Sequence, residues 1–277
     1  MRECLIVSAA LVLLTTPRLF GGSTTTFTLG AQGGVMVPVM VNGRGPFIML
    51  LDTGATHSAI SEVVAATAGA RAVAKSTVIS PVGETVRAIV SIDRLVVGPI
   101  AADNVLPSVV PAGSFDADRK IHGLIGQDVL ARLRYTLDFK RRVVEWHDEA
   151  PPRRGNALHL AYEDGRFLVS LPQRHNTLRL VPDSGAGGLV LFDAAGRASQ
   201  NIVNTGETVE LTTAHSSHLA RHVRLLELRV GDRTMRDVPA VTIERADPRG
   251  AEADGLLPLH LFERVTFDGP ARLLILG

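Results

Sequence analysis

The chain has 277 residues, of which 45% are apolar and 21% charged, and its formal net charge is +1. This length allows two domains that each bury a core, and the composition is that of a globular protein, which excludes a disordered chain. The low net charge gives no reason to expect nucleic acid or a membrane surface as a partner.

Residues 1–22 predict a secretory signal peptide. Arg2 precedes an apolar stretch at 4–14 that is too short for a membrane span. We therefore expect export to the periplasm or the cell exterior. The alternatives are a membrane anchor through this segment or a wrongly placed start of the chain. Cys4 is the only cysteine, so a processed protein would contain no thiol for disulfides, cysteine catalysis or thiolate metal sites.

The next elements predicted along the chain form a hairpin that ends in an acid. Residues 33–41 favour a strand, and Asn-Gly and Gly-Pro pairs at 42–46 predict the turn. Residues 47–51 are consecutive apolar residues, which suits a strand covered on both faces. Asp52 follows directly, and a carboxylate at the end of a buried strand needs specific partners.

The rest of the first half is predicted to be rich in strands. Residues 58–70 favour a short helix, and residues 76–97 favour a hairpin with its tip at 80–84. Residues 98–120 contain several turn-forming glycines and prolines, so we expect irregular structure on the surface. The remaining predictions are a strand at 121–126 followed by one helical turn, then strands at 135–139 and 142–146.

Residues 151–157 predict a linker, because two prolines and a glycine among charged residues do not fit a core element. The pattern of the first half then repeats. The matched positions are Asp52 with Asp183, Gly98 with Gly231, Gly123 with Gly255, and Asp138 with Asp268. Their offsets run from 130 (268 − 138) to 133 (231 − 98) residues. This regularity indicates an internal duplication, with an N-terminal lobe at 23–150 and a C-terminal lobe at 158–277.

The duplication pairs two acid turns, Asp-Thr-Gly-Ala at 52–55 and Asp-Ser-Gly-Ala at 183–186. Two carboxylates brought face to face cannot both ionise freely, so they share a proton. Such a pair can bind a water, take a proton from it with the ionised acid, and polarise a carbonyl with the protonated one. Glycine lets the two turns approach closely, and the Thr53 and Ser184 hydroxyls can each donate a hydrogen bond into the opposite turn.

Together with the apolar motif at 123–126 and its repeat at 255–257, these turns resemble the retropepsin-like and pepsin-like aspartic peptidases. The resemblance covers residues 27–277. It implies an all-β, bilobal fold with a cleft between two duplicated β-barrel lobes, and an endopeptidase that needs no cofactor or metal. The expected substrate is a peptide or protein, and we expect a monomer.

The resemblance also implies roles for individual residues. Asp52 and Asp183 would be the catalytic pair, supported by Thr53, Gly54, Ala55, Ser184, Gly185 and Ala186. The candidate tips of flap hairpins over the substrate are Pro81, Val82 and Gly83 in the first half, and His215 and Ser216 in the second.

The second half departs from the pattern of the first at several positions. Pro182 precedes its acid, Pro258 stands where the first half has Gly126, and residues 214–217 contain no glycine. Each proline removes a backbone donor near the site. Both acid turns end in alanine, which offers no hydroxyl to the ionised acid. Because losing such a donor raises the pKa of a carboxyl, we expect a weakly acidic to neutral pH optimum.

Three alternatives remain open from the sequence. His215, His218 and His222 have spacings that would suit a metal on a helix, but the repeat places them in a hairpin, so we expect no metal. The bilobal cleft could belong to a catalytically silent peptide-binding protein. Two copies of the first half could also pair with each other, leaving the second half as a support.

Overall fold

The computed structural model describes residues 18–19, 24–30, 32–80, 83–116, 120–151, 156–192, 201–212, 217–243 and 253–277. The elements of the first half are β1 (Arg18–Leu19), β2 (Thr24–Thr26), β3 (Thr28–Leu29), β4 (Val35–Val41), β5 (Arg44–Leu51), β6 (Ala59–Ser61), α1 (Glu62–Thr67), β7 (Arg71–Ser80), β8 (Gly83–Val97), β9 (Ile100–Val105), β10 (Ser108–Val110), β11 (Gly123–Ile125), α2 (Gln127–Leu130), β12 (Arg134–Asp138) and β13 (Val143–His147).

The elements of the second half are β14 (Asn156–Glu163), β15 (Arg166–Pro172), β16 (Thr177–Asp183), β17 (Leu189–Phe192), β18 (Ile202–Thr212), β19 (Ser217–Val230), β20 (Arg233–Ile243), β21 (Gly255–Pro258), a 3₁₀ turn (Leu259–Leu261), β22 (Arg264–Asp268) and β23 (Leu273–Leu276). Strands thus dominate both halves, which confirms the predicted all-β, bilobal fold.

The first half forms a ten-stranded sheet with the order β1-β9-β8-β10-β6-β11-β5-β4-β3, in which β7 pairs with β8. The apolar residues of β4 and β5 form an antiparallel hairpin, and β5 pairs in parallel with β11 on its other edge. The parallel pair β5–β11 lies inside the sheet, as expected for strands that are apolar on both faces. The site-bearing end of β5 is therefore held by neighbours on both sides.

The second half repeats this arrangement within a thirteen-stranded sheet, where β16 pairs in parallel with β21 and antiparallel with β15. The same sheet continues through β14, β23 and β22 into β12, β13 and β2 of the first half. The two halves therefore share a sheet.

The centre of the shared sheet has approximate two-fold symmetry. Thr136 of β12 lies opposite Thr266 of β22, and their hydroxyl oxygens are 2.7 Å apart. On either side of this pair, Arg134 bonds Asp268 and Arg264 bonds Asp138, with N···O distances of 2.9 and 2.6 Å. Both carboxylates are nearly fully buried, so each arginine compensates a charge that would be costly to leave alone.

The main hydrophobic core continues through both halves, from Val35 and Leu51 to Leu225 and Leu276. Its members come mainly from the strands that the sequence predicts. No helix within the described residues is long and apolar enough to cross a bilayer. In the segment predicted as a signal peptide, β1 pairs with β9.

Several local predictions are wrong. Residues 100–110 are not irregular, because they contain β9 and β10, and Ile100 and Val110 are buried; residues 111–116 contain no strand or helix, as predicted. The glycines and prolines of residues 98–120 flank the strands instead of interrupting them. The helix predicted at 58–70 begins only at Glu62, because residues 59–61 are buried and form β6.

Two predicted boundaries also move. The strand predicted from residue 47 begins at Arg44, with the cis bond Gly45–Pro46 inside it at a shift of register. Asn156, placed in the linker by the sequence, begins β14, and residues 152–155 lie outside the described residues.

Candidate active site

Asp52 and Asp183 lie at matching points of the two halves. Asp52 directly follows β5, where its backbone N–H donates to the carbonyl of Ile125 in β11 at 3.0 Å. Asp183 is the last residue of β16 and lies opposite Pro258 of β21. Each acid is therefore positioned by a buried strand and its parallel neighbour, and both turns begin at the same end of their strands.

Each carboxylate accepts hydrogen bonds from the backbone of its own turn. Gly54 N and Ala55 N donate to Asp52 Oδ1 at 2.9 and 3.0 Å. Gly185 N and Ala186 N donate to Asp183 Oδ1 at 2.7 and 3.1 Å. These paired N–H groups fix the side chains and favour their ionised form.

The two carboxyl groups contact each other across the junction of the halves. The side chains of Asp52 and Asp183 are close enough to shift each other's pKa. A Cβ at Gly54 would lie 2.5 Å from Asp183 Oδ2, and one at Gly185 would lie 3.0 Å from Asp52 Cγ. The approach of the turns thus depends on residues without side chains at positions 54 and 185.

The pKa values of both acids are raised, with different strength. Burial raises the pKa of Asp52 above its usual 3.8, while the N–H groups of Gly54 and Ala55 and the hydrogen bond with Asp183 oppose the rise. Burial and then the charge of Asp52 raise the pKa of Asp183 well above 3.8. Asp183 is 6% exposed, whereas Asp52 is partly exposed. The pair therefore retains one proton above the pH at which an isolated aspartate would lose it, and the more buried Asp183 is the better place for that proton.

Thr53 and Ser184 join the turns reciprocally. Thr53 Oγ1 donates to the carbonyl of Pro182 at 2.7 Å and accepts from Ser184 N at 2.9 Å. Ser184 Oγ donates to the carbonyl of Leu51 and accepts from Thr53 N at 3.1 Å. All four bonds are buried and cross from one half to the other, so neither acid can move without disturbing the other turn.

Two further contacts hold the turns, and the sequence analysis did not identify their residues. Gln127 Nε2 donates to the carbonyl of Thr53 at 2.7 Å. His260 donates a hydrogen bond to the backbone of Ala186, and burial lowers the pKa of this histidine. The signal for Gln127 was its polar side chain directly after the apolar motif that ends at Gly126. His260 follows the matching motif of the second half.

The two prolines occupy the positions that the sequence indicated, with different local effects. The carbonyl of Pro182 accepts the bond from Thr53, so this residue takes part in the contact between the halves without an N–H. Pro258 precedes the 3₁₀ turn, whereas Gly126 precedes α2 and donates to Ser58 Oγ at 3.1 Å. The second half therefore lacks this side-chain bond.

Only one of the flap candidates lies within the described residues. Gly83 begins β8, while Pro81 and Val82 lie outside the described residues. His215 and Ser216 also lie outside them, between β18 and β19. The hairpin predicted for the histidine series is present, since β19 contains both His218 and His222.

A separate cavity of about 430 Å³ lies in the second half, between the turn after β15 and strands β19 and β20. Arg174, Asn201 and Glu227 contribute to its lining. The turn lies at the opposite end of β16 from Asp183. With seven residues in β16 and a rise of about 3.3 Å per residue, the separation is about 20 Å. This cavity is thus not part of the acid pair.

A duplicated all-β fold with one Asp-(Thr/Ser)-Gly turn from each half at a common junction is that of the bilobal aspartic peptidases. A family model for aspartyl protease matches the chain twice, at residues 37–129 and 173–260. The chain belongs to this family, and each match includes one of the acid turns. No curated protein matches the sequence.

Proposed function

We propose that the chain is an aspartic endopeptidase in which Asp52 and Asp183 together activate water. Membership of the aspartyl protease family supports peptide-bond hydrolysis in general. The observation that supports the assignment to Asp52 and Asp183 is the close approach of their two turns, which are joined by four buried bonds. A site held this rigidly is preorganised for proton transfer.

The unequal burial of the two acids assigns a role to each, because the more buried carboxyl is the better place for the shared proton. Asp183 carries the shared proton and donates it to the carbonyl oxygen of the scissile bond. Asp52, the more exposed acid, is ionised and removes a proton from water as the water attacks the carbonyl carbon. Collapse of the resulting diol breaks the C–N bond. The proton held by Asp52 passes to the leaving amine, and one hydroxyl of the diol returns its proton to Asp183, which restores the starting state of the pair.

The proposal extends to the setting of the enzyme. The substrate is a peptide or protein segment in extended form, laid between the halves. Because one chain supplies both acids, a monomer is sufficient and no cofactor takes part. The apolar segment at residues 4–14 supports export from the cytoplasm.

The test compares three purified variants with the wild-type protein on a diverse peptide mixture. Asp52→Asn and Asp183→Asn should each lower kcat at least about a thousandfold, since either change removes one half of the acid–base pair. Asp268→Asn is the matched control, because Asp268 is a buried acid in the shared sheet and should retain turnover. A statine inhibitor should block the wild-type cleavage.

Each alternative gives a different result. Wild-type protein that binds peptides without cleaving them would overturn the proposal and support a silent peptide-binding protein. Full activity in Asp183→Asn, with loss only in Asp52→Asn, would indicate pairing between two first halves. Cleavage that survives both substitutions would place the chemistry elsewhere.

A further inference from the structure

We propose that Gln127 is a positioning residue for Asp52. Its side chain takes the place of a backbone contact that the turn of Asp183 receives from the opposite half and the turn of Asp52 does not. In the second turn, the carbonyl of Ser184 accepts the backbone N–H of Val35 at 3.0 Å. Among the described residues, no backbone N–H from the second half reaches the matching carbonyl of Thr53. Gln127 Nε2 takes that place at 2.7 Å.

The rest of α2 reinforces this contact. Gln127 N donates to the carbonyl of Ala55 at 2.9 Å, and Asp128 N donates to that of Thr56 at 3.2 Å. The side chain and backbone of Gln127 therefore hold both sides of Gly54, whose N–H binds Asp52. At the repeat position, Leu259 has no side-chain donor, so this arrangement exists on one side of the pair only.

The energetics of the Gln127 amide favour a positioning role over a stabilising one. Gln127 is 1% exposed, and its Oε1 is buried without a hydrogen-bond partner. An unpaired buried oxygen is destabilising, and this offsets the bond that Nε2 makes. Replacement by methionine removes both effects at once, so global stability should change little while the carbonyl of Thr53 loses its partner.

This inference rests on the proposed function, and Gln127→Met tests it. We expect kcat to fall about tenfold with KM within about twofold, because the substitution misplaces Asp52 without removing a substrate contact. The melting temperature should stay close to the wild-type value. Hydrogen exchange at the Gly54 and Ala55 amides should accelerate about tenfold, since their turn is released.

Gln173→Met is the matched control. Gln173 donates to the carbonyls of Leu171 and Arg229 and accepts from Arg229 N, far from the acids. Its loss should lower the melting temperature and leave kcat unchanged. Gln127→Asn, whose amide is too short to reach Thr53, should reproduce the kinetic loss and serves if the methionine variant does not fold.

The outcomes separate this inference from the proposed function. A kcat within about twofold of wild type in both Gln127 variants would overturn the positioning role. A fall in melting temperature like that of Gln173→Met, with unchanged exchange at Gly54 and Ala55, would show a purely structural side chain. If the wild-type protein has no turnover, the proposed function fails, and the exchange measurement still decides the role of Gln127.

Discussion

The hydroxyl of Thr53 offers the sharpest test of how the two halves are joined. Thr53→Val keeps the shape of the side chain but leaves the Pro182 carbonyl and the Ser184 N–H without partners. Each buried unpaired group costs about 1–3 kcal/mol, so the pair should cost about 2–6 kcal/mol. Taking 3 kcal/mol as a working value, the melting temperature should fall by roughly 6–12 °C for a chain of this size.

The assay is thermal unfolding followed by circular dichroism, with Thr53→Ser as control. Serine retains the hydroxyl and loses one methyl group, which costs about 1 kcal/mol. A double-mutant cycle with Ser184→Ala should give a coupling energy of at least about 0.5 kcal/mol, since both side chains serve the same junction. Equal melting temperatures for the valine and serine variants would refute the reasoning, because the buried bonds would then contribute nothing.

Three other predictions follow from the same geometry. Gly54→Ala should lower kcat far more than Gly185→Ala. The methyl group added at Gly54 would lie 2.5 Å from the Asp183 carboxyl oxygen, whereas that added at Gly185 would lie 3.0 Å from the Asp52 carboxyl carbon. Steady-state kinetics test this difference, and equal losses of kcat would contradict the prediction. Burial raises the pKa of Asp183 above 3.8, so its stabilising contribution is complete below about pH 4 and is lost as the pH rises through the folded-state pKa. Urea unfolding measured from about pH 4 upward should therefore show that the wild-type protein loses stability relative to Asp183→Asn. If the stability of both proteins depends on pH in the same way, the raised pKa of Asp183 is contradicted. Arg134→Met and Arg264→Met should each cost about 1–3 kcal/mol, although the arginines are partly exposed, since each removes the nearest arginine from a buried carboxylate and Asp138 then keeps only Arg141, at 3.9 Å. Denaturant unfolding that shows a loss in only one variant would argue against the two-fold arrangement.

The sequence was most informative where the chain is apolar and repeated. The apolar residues at the ends of β5 and β16 form a run before each acid, so the strands and the turns could be predicted. The duplication then predicted the matching motifs of the second half. It did not predict that β12 and β22 pair, so the Thr136–Thr266 contact was not foreseen.

The sequence was less informative where tertiary contacts override local composition. Residues 98–120 contain turn-forming residues at intervals, but the segments between them pair with β6 and β8 and become buried strands. Gln127 and His260 were missed for a related reason. Their function depends on which carbonyl lies within reach after folding, and nothing in the local pattern specifies that carbonyl.

Thr136 and Thr266 meet at the symmetry axis. Their contact shows that this single chain has the approximate two-fold symmetry of a homodimer. In a true homodimer, every substitution appears twice, and a peptide could enter in either direction with equal energy. Here the arginine–aspartate pairs beside the axis have stayed alike, while the residues after Gly126 and Pro258 have diverged. Under the proposed function, two halves of unequal sequence give a bound polypeptide one favoured polarity, and each half then recognises a different side of the scissile bond.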